Sequence, residues 1–292
     1  MTEDSSKEVS IQIHPLTHNP SEAWEELKNV QIVKKVYPLP LNMPVSSKAV
    51  RFVCMSDTHS LTSHLKFPIP PGDVFIHAGD FTRHGLLNEI KEFNKFLGKL
   101  PHKYKVVIAG NHELTFDPST SDIEMIQCHI SMLSLEQRGS SKSLEKEARD
   151  LLTNCIYLED SGVDIYGLKI YGTPWQPEFC NWAFNLPRGE ACLAKWKKIP
   201  TDVDVLVTHS PPIGHGDFCV TGVRAGCVEL LSTVQARVKP KYHIFGHIHE
   251  GYGITTDGQT IFINCSTCNS SYKPVNSPII FDIPLPQGYC KT

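Results

Sequence analysis

The chain has 292 residues, of which 40% are hydrophobic and 20% charged, and its formal net charge is −3. This composition excludes an intrinsically disordered or fibrous protein, and no apolar run approaches the roughly 18 residues that a membrane span needs. The slight acidic excess offers no basic field for the backbone of a long nucleic acid. Histidine is frequent, with 14 residues, and it is the commonest metal ligand and acid–base side chain.

Residues 1–48 form the first predicted segment. The segment is polar, contains five prolines and shows no sustained periodicity, so we predict an extension that packs on a domain covering residues 49–292. Its beginning is acidic and lacks an apolar stretch, which argues against a secretory signal. We therefore expect a cytoplasmic protein with reduced thiols, in which Cys265 and Cys268 are a structural or incidental pair.

The domain itself contains short, β-branched apolar runs that predict buried strands. These runs cover residues 50–55, 74–78, 106–109, 205–207, 244–245 and 261–263. Helical spacing of apolar residues predicts helices over 87–100 and 228–238, and alternation around a glycine predicts a hairpin over 162–175. Residues 118–150 are rich in serine, lysine and glutamate and predict a surface insertion with an amphipathic helix at 144–152. Together these elements predict one mixed α/β domain.

Groups that bind metals or transfer protons follow five of the predicted strands. They are Ser56-Asp57-Thr58-His59, Gly79-Asp80, Gly110-Asn111-His112-Glu113, His209 and Gly246-His247-Ile248-His249. Each motif alone also fits a turn, a helix cap or a core histidine. Ligands of α/β sheets collect outside the carboxyl ends of strands, so the five motifs can converge on one pocket. Five unrelated turns have no reason to supply only oxygen and imidazole donors, and the joint pattern favours a metal site.

The mixture of donors suits a pair of divalent ions. Two such ions about 3.5–4 Å apart can clamp a phosphoryl group when a carboxylate bridges them, and one ion lowers the pKa of a bound water. Imidazole, carboxylate and amide donors suit Mn, Fe, Zn, Ni or Mg, whereas the missing thiolates argue against a structural zinc site. We expect two divalent ions, with Mn²⁺ first among these metals.

The ordered series D-x-H, G-D, G-N-H-E, H and G-H-x-H resembles the calcineurin-like metallophosphoesterase superfamily. Residues 51–59, 107–116, 184–189 and 245–253 resemble a narrower group within it, the metallophosphoesterase-domain-containing proteins. These are animal enzymes counted among the class III cyclic nucleotide phosphodiesterases. The similarity runs from about residue 50 to the end, and only residues 1–48 and 118–150 look divergent. It implies an α/β (α+β) fold of two packed, mainly β sheets flanked by helices.

The resemblance also implies a role for each residue of the motifs. Asp57, His59 and His249 would bind the first metal, Asp80 would bridge, and Asn111, His209 and His247 would complete the second. His112 would protonate the leaving oxygen or stabilise the transition state. One branch of the narrower group has glycine at the position of His247, so the histidine here implies the active form.

Two departures narrow the expected substrate. Protein Ser/Thr phosphatases carry G-D-x-V-D-R-G, but residues 79–85 read G-D-F-T-R-H-G and lack the second acidic residue. A nuclease of the double-strand-break type would be expected to show basic surface, which the net charge does not indicate. We therefore predict a metal-dependent phosphoric diester hydrolase for small phosphodiesters, with 2′,3′- or 3′,5′-cyclic nucleotides as candidate substrates. We expect neither long nucleic acid nor a membrane as a partner.

Residues 173–188 are the candidate cover of the pocket. Trp175 and Trp182 could stack a base and Arg188 could bind phosphate, although three prolines equally fit aromatic packing over the sheet edge. The alternative function is a nucleotide-binding or scaffold protein with little turnover on the same fold.

Overall fold

The computed structural model describes residues 10–117, 119 and 141–291, and most of the predicted insertion lies outside them. The helices are α1 (Pro20–Leu27), α2 (Leu87–Lys99), α3 (Ser141–Asp150), α4 (Glu190–Trp196) and α5 (Val228–Ser232). A π-helical turn, Thr233–Val238, continues α5, and three single 3₁₀ turns cover Thr62–His64, Leu114–Phe116 and His249–Gly251. No helix in this described part of the chain combines the length and the apolar character needed to cross a bilayer.

Fourteen strands are formed by the described residues. They are β1 (Lys34–Val36), β2 (Ala49–Met55), β3 (Val74–Ala78), β4 (Tyr104–Ile108), β5 (Ile156–Tyr157), β6 (Ser161–Ile165), β7 (Leu168–Thr173), β8 (Gln176–Pro177), β9 (Asn185–Leu186), β10 (Val205–Thr208), β11 (Tyr242–Phe245), β12 (Gly253–Thr256), β13 (Ile261–Asn264) and β14 (Ile279–Pro284). The predicted strands are confirmed to within two residues at each end. The predicted hairpin over 162–175 is β6 and β7, which pair antiparallel.

The strands form two large sheets and one small one. The orders are β1-β12-β13-β11-β10-β7-β6, β14-β2-β3-β4-β5 and β8-β9. Side chains from the facing surfaces of the large sheets, such as Phe52 and Val205, share one buried core. Val53 and Met55, on the other surface of β2, pack in a second core that includes Phe93 of α2. The predicted fold of two packed, mainly β sheets flanked by helices is confirmed, and burial on both surfaces explains the continuous apolar runs.

The N-terminal segment contains two elements that its composition did not reveal. Helix α1 begins after Asn19, whose side chain accepts a hydrogen bond from the Glu22 amide, with Pro20 at the first position. Strand β1 pairs antiparallel with β12 at the edge of the seven-stranded sheet. At three residues β1 is too short to show alternation. The domain boundary near residue 49 stays a prediction.

Helix α3 lies at the end of the segment predicted as a surface insertion. Its Leu144 and Ala148 are buried in the same core as Phe116 and Phe93. This amphipathic helix was predicted over 144–152, and its apolar side chains anchor the end of the segment to the sheet.

Strand direction positions the polar motifs. Strands β2, β3 and β4 run parallel in one sheet, and β7, β10, β11 and β13 run parallel in the other. The loops that follow β2, β3, β4, β10 and β11 carry the five motifs of the sequence. Parallel strands end at the same edge of their sheet, so the motifs of each sheet emerge side by side.

Candidate metal centre

Loops from both large sheets meet at one edge of the molecule. The Gly246 amide donates to the His209 carbonyl at 3.0 Å, and His209 Nδ1 lies 2.9 Å from the carbonyl oxygen of Ala78, at the end of β3. Ser56, after β2, forms a parallel bridge with Ser266, after β13. These contacts bring the five polar motifs into one cluster of side chains.

Asp57, His59 and His249 form one group whose possible ligand atoms all lie within 4.8 Å of one another. The Nε2 atoms of His59 and His249 are 3.2 Å apart, and His249 Nε2 is 3.5 Å from Asp57 Oδ1. His249 Nδ1 lies 3.0 Å from the carbonyl oxygen of Asn269, which accepts the proton on that nitrogen. In the neutral ring the Nε2 lone pair then faces the other two residues, as in metal-binding histidines.

Asp80, His209 and His247 form a second group of the same kind. His209 Nε2 is 3.3 Å from Asp80 Oδ2 and 3.0 Å from Asn111 Oδ1. Because His209 Nδ1 donates to the Ala78 carbonyl, Nε2 faces the carboxylate and the amide oxygen. The Asn111 side chain therefore joins this second group.

Asp80 also belongs to a third group, with His59 and His112. Its Oδ2 atom is 3.9 Å from His59 Nε2 and 3.8 Å from His112 Nε2. One carboxylate thus lies between two sets of donors, which is the position that a bridging ligand between two ions occupies.

Several members of the cluster adopt a backbone conformation that is unusual for residues other than glycine. The φ angles of Asp57, His59, Asp80 and His247 are +51°, +42°, +56° and +66°. Each such residue costs of the order of 1–3 kcal/mol, and such residues persist where the surrounding structure fixes them, often at functional sites. The turns after β2, β3 and β11 are therefore strained at the residues that point into the cluster.

Two glycines of the motifs allow the loops to approach the carboxylates closely. A Cβ atom on Gly110 would lie 2.3 Å from Asp80 Oδ1, and one on Gly246 would lie 2.1 Å from Asp57 Oδ2. Any side chain at either position would displace the carboxylate beside it. The G-N-H-E and G-H-x-H motifs thus begin with glycine because the acids occupy the space of a side chain.

Glu113 is a site residue to which the sequence assigned no role. Its buried carboxylate accepts hydrogen bonds from the amides of Asp80 (2.8 Å), Gly110 (2.6 Å) and Thr82 (2.9 Å), and from the Thr82 hydroxyl (2.8 Å). Burial and the nearby Asp80 charge raise the pKa of Glu113 to about 8, and the donors oppose this. Glu113 ties the loop after β3 to the loop after β4, and these loops carry Asp80 and Asn111.

The electrostatics of the cluster favour a bound cation. Burial opposes ionisation of Asp57 and Asp80, but the neighbouring histidines outweigh it, so the pKa of each carboxyl lies below its usual value. Burial lowers the pKa of His59 and His247 to about 3, which leaves both rings neutral at pH 7. Burial disfavours a charged His209, yet Asp80 raises its pKa to about 9, so a cation bound at its Nε2 must displace a proton. Charged carboxylates, imidazoles and an amide oxygen fit divalent Mn, Fe, Zn, Ni or Mg.

His112 is held in one orientation beside the cluster. Its Nδ1 atom lies 2.7 Å from the Arg83 carbonyl oxygen, and its amide donates to Asp80 Oδ1 at 2.9 Å. The Trp182 ring packs on its imidazole, with centroids 4.2 Å apart. The remaining ring nitrogen, Nε2, faces the cluster and is available to a reacting group.

A cavity of about 520 Å³ opens over the cluster. Its lining includes Asp80, Asn111, His112, His247 and His249, and also Arg188. The Arg188 guanidinium donates to the carbonyl oxygens of Ala225 (2.7 Å) and Gly226 (2.8 Å), so it is fixed at the cavity wall.

The two predicted tryptophans are placed differently. Neither tryptophan is among the described residues that line the cavity, but Trp182 contacts His112, as above. The Trp175 indole donates to Asp160 Oδ2 at 3.1 Å, and the Lys195 ammonium lies over its ring. Trp175 therefore packs beside the sheet, which agrees with the alternative interpretation that the aromatic residues of this segment pack over the sheet edge.

Two further aromatic residues flank the cluster. The Tyr272 ring centroid is 4.9 Å from that of His59 and 5.1 Å from that of His249. The Phe179 ring centroid is 5.6 Å from that of His247. Phe179 lies in the segment that was predicted to cover the pocket, but nothing in the sequence around Tyr272 signals its place.

Known proteins resemble the chain at the levels of sequence and fold. A family model described as calcineurin-like phosphoesterase matches residues 50–251, a range that includes every predicted metal ligand. Metallophosphoesterase domain-containing protein 1 of Homo sapiens is 51% identical over 257 residues, covering 88% of this chain and 78% of the human protein. A UPF0046 protein of Caenorhabditis elegans is 50% identical over 284 residues, covering 94% and 70%. One solved structure shares the fold with a TM-score of 0.51 at 14% identity, covering 82% of this chain and 100% of that one.

Proposed function

Because the chain belongs to the calcineurin-like phosphoesterase family, whose members hydrolyse phosphoesters, we propose that it uses two divalent ions to cleave small phosphodiesters. The observation that carries this proposal is the shared position of Asp80, which lies in two groups of donor atoms that each have room for an ion. Asp57, His59 and His249 would hold one ion, and Asn111, His209 and His247 the other, with Asp80 between them.

The chain's own residues would orient the reaction. When bound, a pair of divalent ions lowers the pKa of water and offsets the negative charge that develops on the phosphoryl oxygens. His112 would protonate the leaving ester oxygen from Nε2 in its doubly protonated form, since the proton on Nδ1 stays bonded to the Arg83 carbonyl. Arg188 would bind a phosphoryl oxygen with the N–H groups that the two backbone carbonyls leave free.

A phosphodiester, rather than a phosphoprotein or a long nucleic acid, is the substrate class that we propose. The chain lacks the second acidic residue of the protein phosphatase motif, and its net charge of −3 supplies no extended basic surface. Cyclic nucleotides, either 2′,3′ or 3′,5′, are the substrates to test first, with Mn²⁺ as the metal. We also propose that the protein is cytoplasmic and that neither a long nucleic acid nor a membrane is its partner.

The first experiment compares metal-stripped protein with and without added Mn²⁺ on bis(p-nitrophenyl) phosphate and on p-nitrophenyl phosphate. We expect turnover to need the metal and to be faster on the diester. Equal rates with and without metal would contradict the metal mechanism, and a faster monoester would contradict the substrate class. Tight binding of a nucleotide with negligible hydrolysis in excess Mn²⁺ would favour the nucleotide-binding alternative.

A further inference from the structure

A short hairpin forms one wall of the cavity over the metal cluster. It covers residues 217–226, between β10 and α5. Ala225 donates to the Asp217 carbonyl at 3.0 Å, Cys219 donates to the Val223 carbonyl at 2.9 Å, and an antiparallel bridge joins Phe218 to Arg224. Six residues of the hairpin line the cavity, namely Cys219, Val220, Thr221, Val223, Arg224 and Ala225.

The hairpin is anchored at its base by a buried ion pair and by helix α1. Asp217 is fully buried and bonds to the Arg224 guanidinium, which also lies 4.4 Å from the ring of Trp24. The Arg224 amide donates to Ser21 Oγ at 3.0 Å. These contacts fix the hairpin and leave the side chains of Val220 and Val223 free to face the cavity.

At its tip the hairpin contacts the loop that carries a predicted metal ligand. The Val220 amide donates to Glu250 Oε1 at 3.0 Å, and Glu250 follows His249 in the chain. The tip of the hairpin is therefore held beside the metal cluster and forms part of the same pocket.

Two large apolar side chains of the hairpin are exposed at the cavity. Val220 is 74% exposed and Val223 is 51% exposed, although both line the cavity. Phe179 and Tyr272, which line the same cavity, are also more than half exposed. Four large apolar side chains around one mouth leave unburied surface that an apolar group of a ligand can cover.

The charged residues that line the cavity favour a neutral group of the ligand beside the hairpin. Beside the histidines and the acid of the cluster, the lining contains two arginines, Arg188 and Arg224, and two glutamates, Glu178 and Glu250. Arg224 is already paired with Asp217. The wall therefore has no surplus positive charge for a second phosphate or carboxylate of the ligand.

We propose that the hairpin 217–226 binds the neutral, apolar ester group of the substrate while the scissile phosphodiester lies at the metal cluster. The substrate class is a phosphodiester with one uncharged apolar substituent of about the size of a nucleobase. This assignment rests on the proposed phosphodiesterase function and identifies Val220 and Val223 as residues that determine specificity.

The test compares two cyclic phosphodiesters that differ in the apolar group. With Mn²⁺ present, kcat/KM is measured for 2′,3′-cyclic AMP and for glycerol 1,2-cyclic phosphate, which has no base. In the double variant Val220→Ser/Val223→Ser we expect kcat/KM for cyclic AMP to fall roughly tenfold and that for glycerol cyclic phosphate to stay unchanged. The matched control is Val275→Ser, since Val275 is 55% exposed and does not line the cavity among the described residues.

A binding measurement separates this inference from the proposed function. Calorimetry measures the affinity of the Mn²⁺-loaded protein for adenosine 5′-monophosphate and for inorganic phosphate. We expect the double variant to weaken the nucleotide roughly tenfold and to leave phosphate unchanged. The role of the hairpin would be overturned if the double variant lost equally on cyclic AMP and glycerol cyclic phosphate, or equally for the nucleotide and inorganic phosphate. It would also be overturned if the variant showed no loss for any of these ligands. Failure of the wild-type protein to hydrolyse any diester, with nucleotide discrimination retained, would overturn the proposed function alone.

Discussion

The Asp80 carboxylate lies between the two groups of proposed metal ligands and contacts both. It lies within 3.9 Å of His59, His112 and His209, whereas the Asn111 side chain contacts the second group through His209. A change at Asp80 therefore alters both proposed ion sites, but a change at Asn111 alters one.

We expect Asp80→Asn to lower kcat on a diester by at least roughly a hundredfold, and by more than Asn111→Ala does. Neutralising Asp80 removes the negative charge that both ions would share. Rates are measured in saturating Mn²⁺ together with the bound metal content. Asp202→Asn is the control, because Asp202 is an exposed carboxylate that pairs with Lys169 on the surface. A larger loss in Asn111→Ala would show that Asp80 does not bridge.

The sequence alone is sufficient to find most of the side chains that point into the metal cluster. Asp57, Asp80 and His209 follow strands whose apolar runs are plain, and the structure brings them into one cluster. Glu113 and Tyr272 could not be assigned in this way. The role of Glu113 depends on backbone amides of another loop, and Tyr272 reaches the cluster through a turn that no periodicity marks.

Loops between elements, rather than the strands, set the geometry of the cluster. Each loop begins at a well-predicted strand end, but its path is fixed by hydrogen bonds to other loops. Glu113 accepts four of them, from the loop after β3 and from the start of its own loop. Such a residue is expected to control metal affinity without touching the metal.

Glu113→Gln tests this positioning role. The glutamine amide group would place N–H donors against the donors of Thr82 or of Asp80 and Gly110, so buried amides lose their acceptor. We expect the free energy of unfolding to fall by about 1–3 kcal/mol and Mn²⁺ affinity to fall roughly ten- to a hundredfold. Urea unfolding without metal and metal titration by calorimetry measure the two effects.

Glu92→Gln serves as the control for this variant, because Glu92 is an exposed residue of α2 that pairs only with Lys95 among its described neighbours. Unchanged Mn²⁺ affinity in Glu113→Gln, with or without a loss of stability, would show that Glu113 is only a structural residue.

The sequence predicts strands that are buried along their whole length. It does not reveal strands and hairpins that are held by contacts with distant parts of the chain. Strands β2 and β3 are buried on both surfaces, so their apolar runs are uninterrupted. Strand β1 is mostly exposed and exists through its pairing with β12, more than 200 residues away in the chain. The hairpin 217–226 likewise depends on an ion pair and on contacts with α1.

For the whole molecule, packing helices and loops on the outer surfaces of the two sheets buries histidines that have no place in the proposed chemistry. His77, His215 and His243 are fully buried, and one ring nitrogen of each lies about 3 Å from a threonine hydroxyl. Burial lowers the pKa of His77 and His243 to about 3 and that of His215 to about 4. The high histidine content therefore serves both the cluster and the core.

These core histidines make the fold sensitive to acid. In the unfolded chain a histidine titrates near pH 6.5, so below that pH the unfolded state binds protons that the folded state excludes. Stability is present in full above pH 6.5 and is lost as the pH falls toward 3–4. Each histidine contributes a slope of about 1.4 kcal/mol per pH unit, or about 2 kcal/mol between pH 6.5 and 5.

The contribution of one residue can be isolated with His243→Gln, which lies outside the metal cluster. Glutamine keeps a polar group near the Thr208 hydroxyl but does not titrate, so the loss of unfolding free energy between pH 7 and 5 should shrink by about 2 kcal/mol relative to the wild-type protein. Urea unfolding of metal-free protein at both pH values measures this difference, and the exposed His64→Gln provides the control. If the two variants show the same loss, His243 is already protonated in the folded protein at pH 5, and the acid sensitivity originates elsewhere in the molecule.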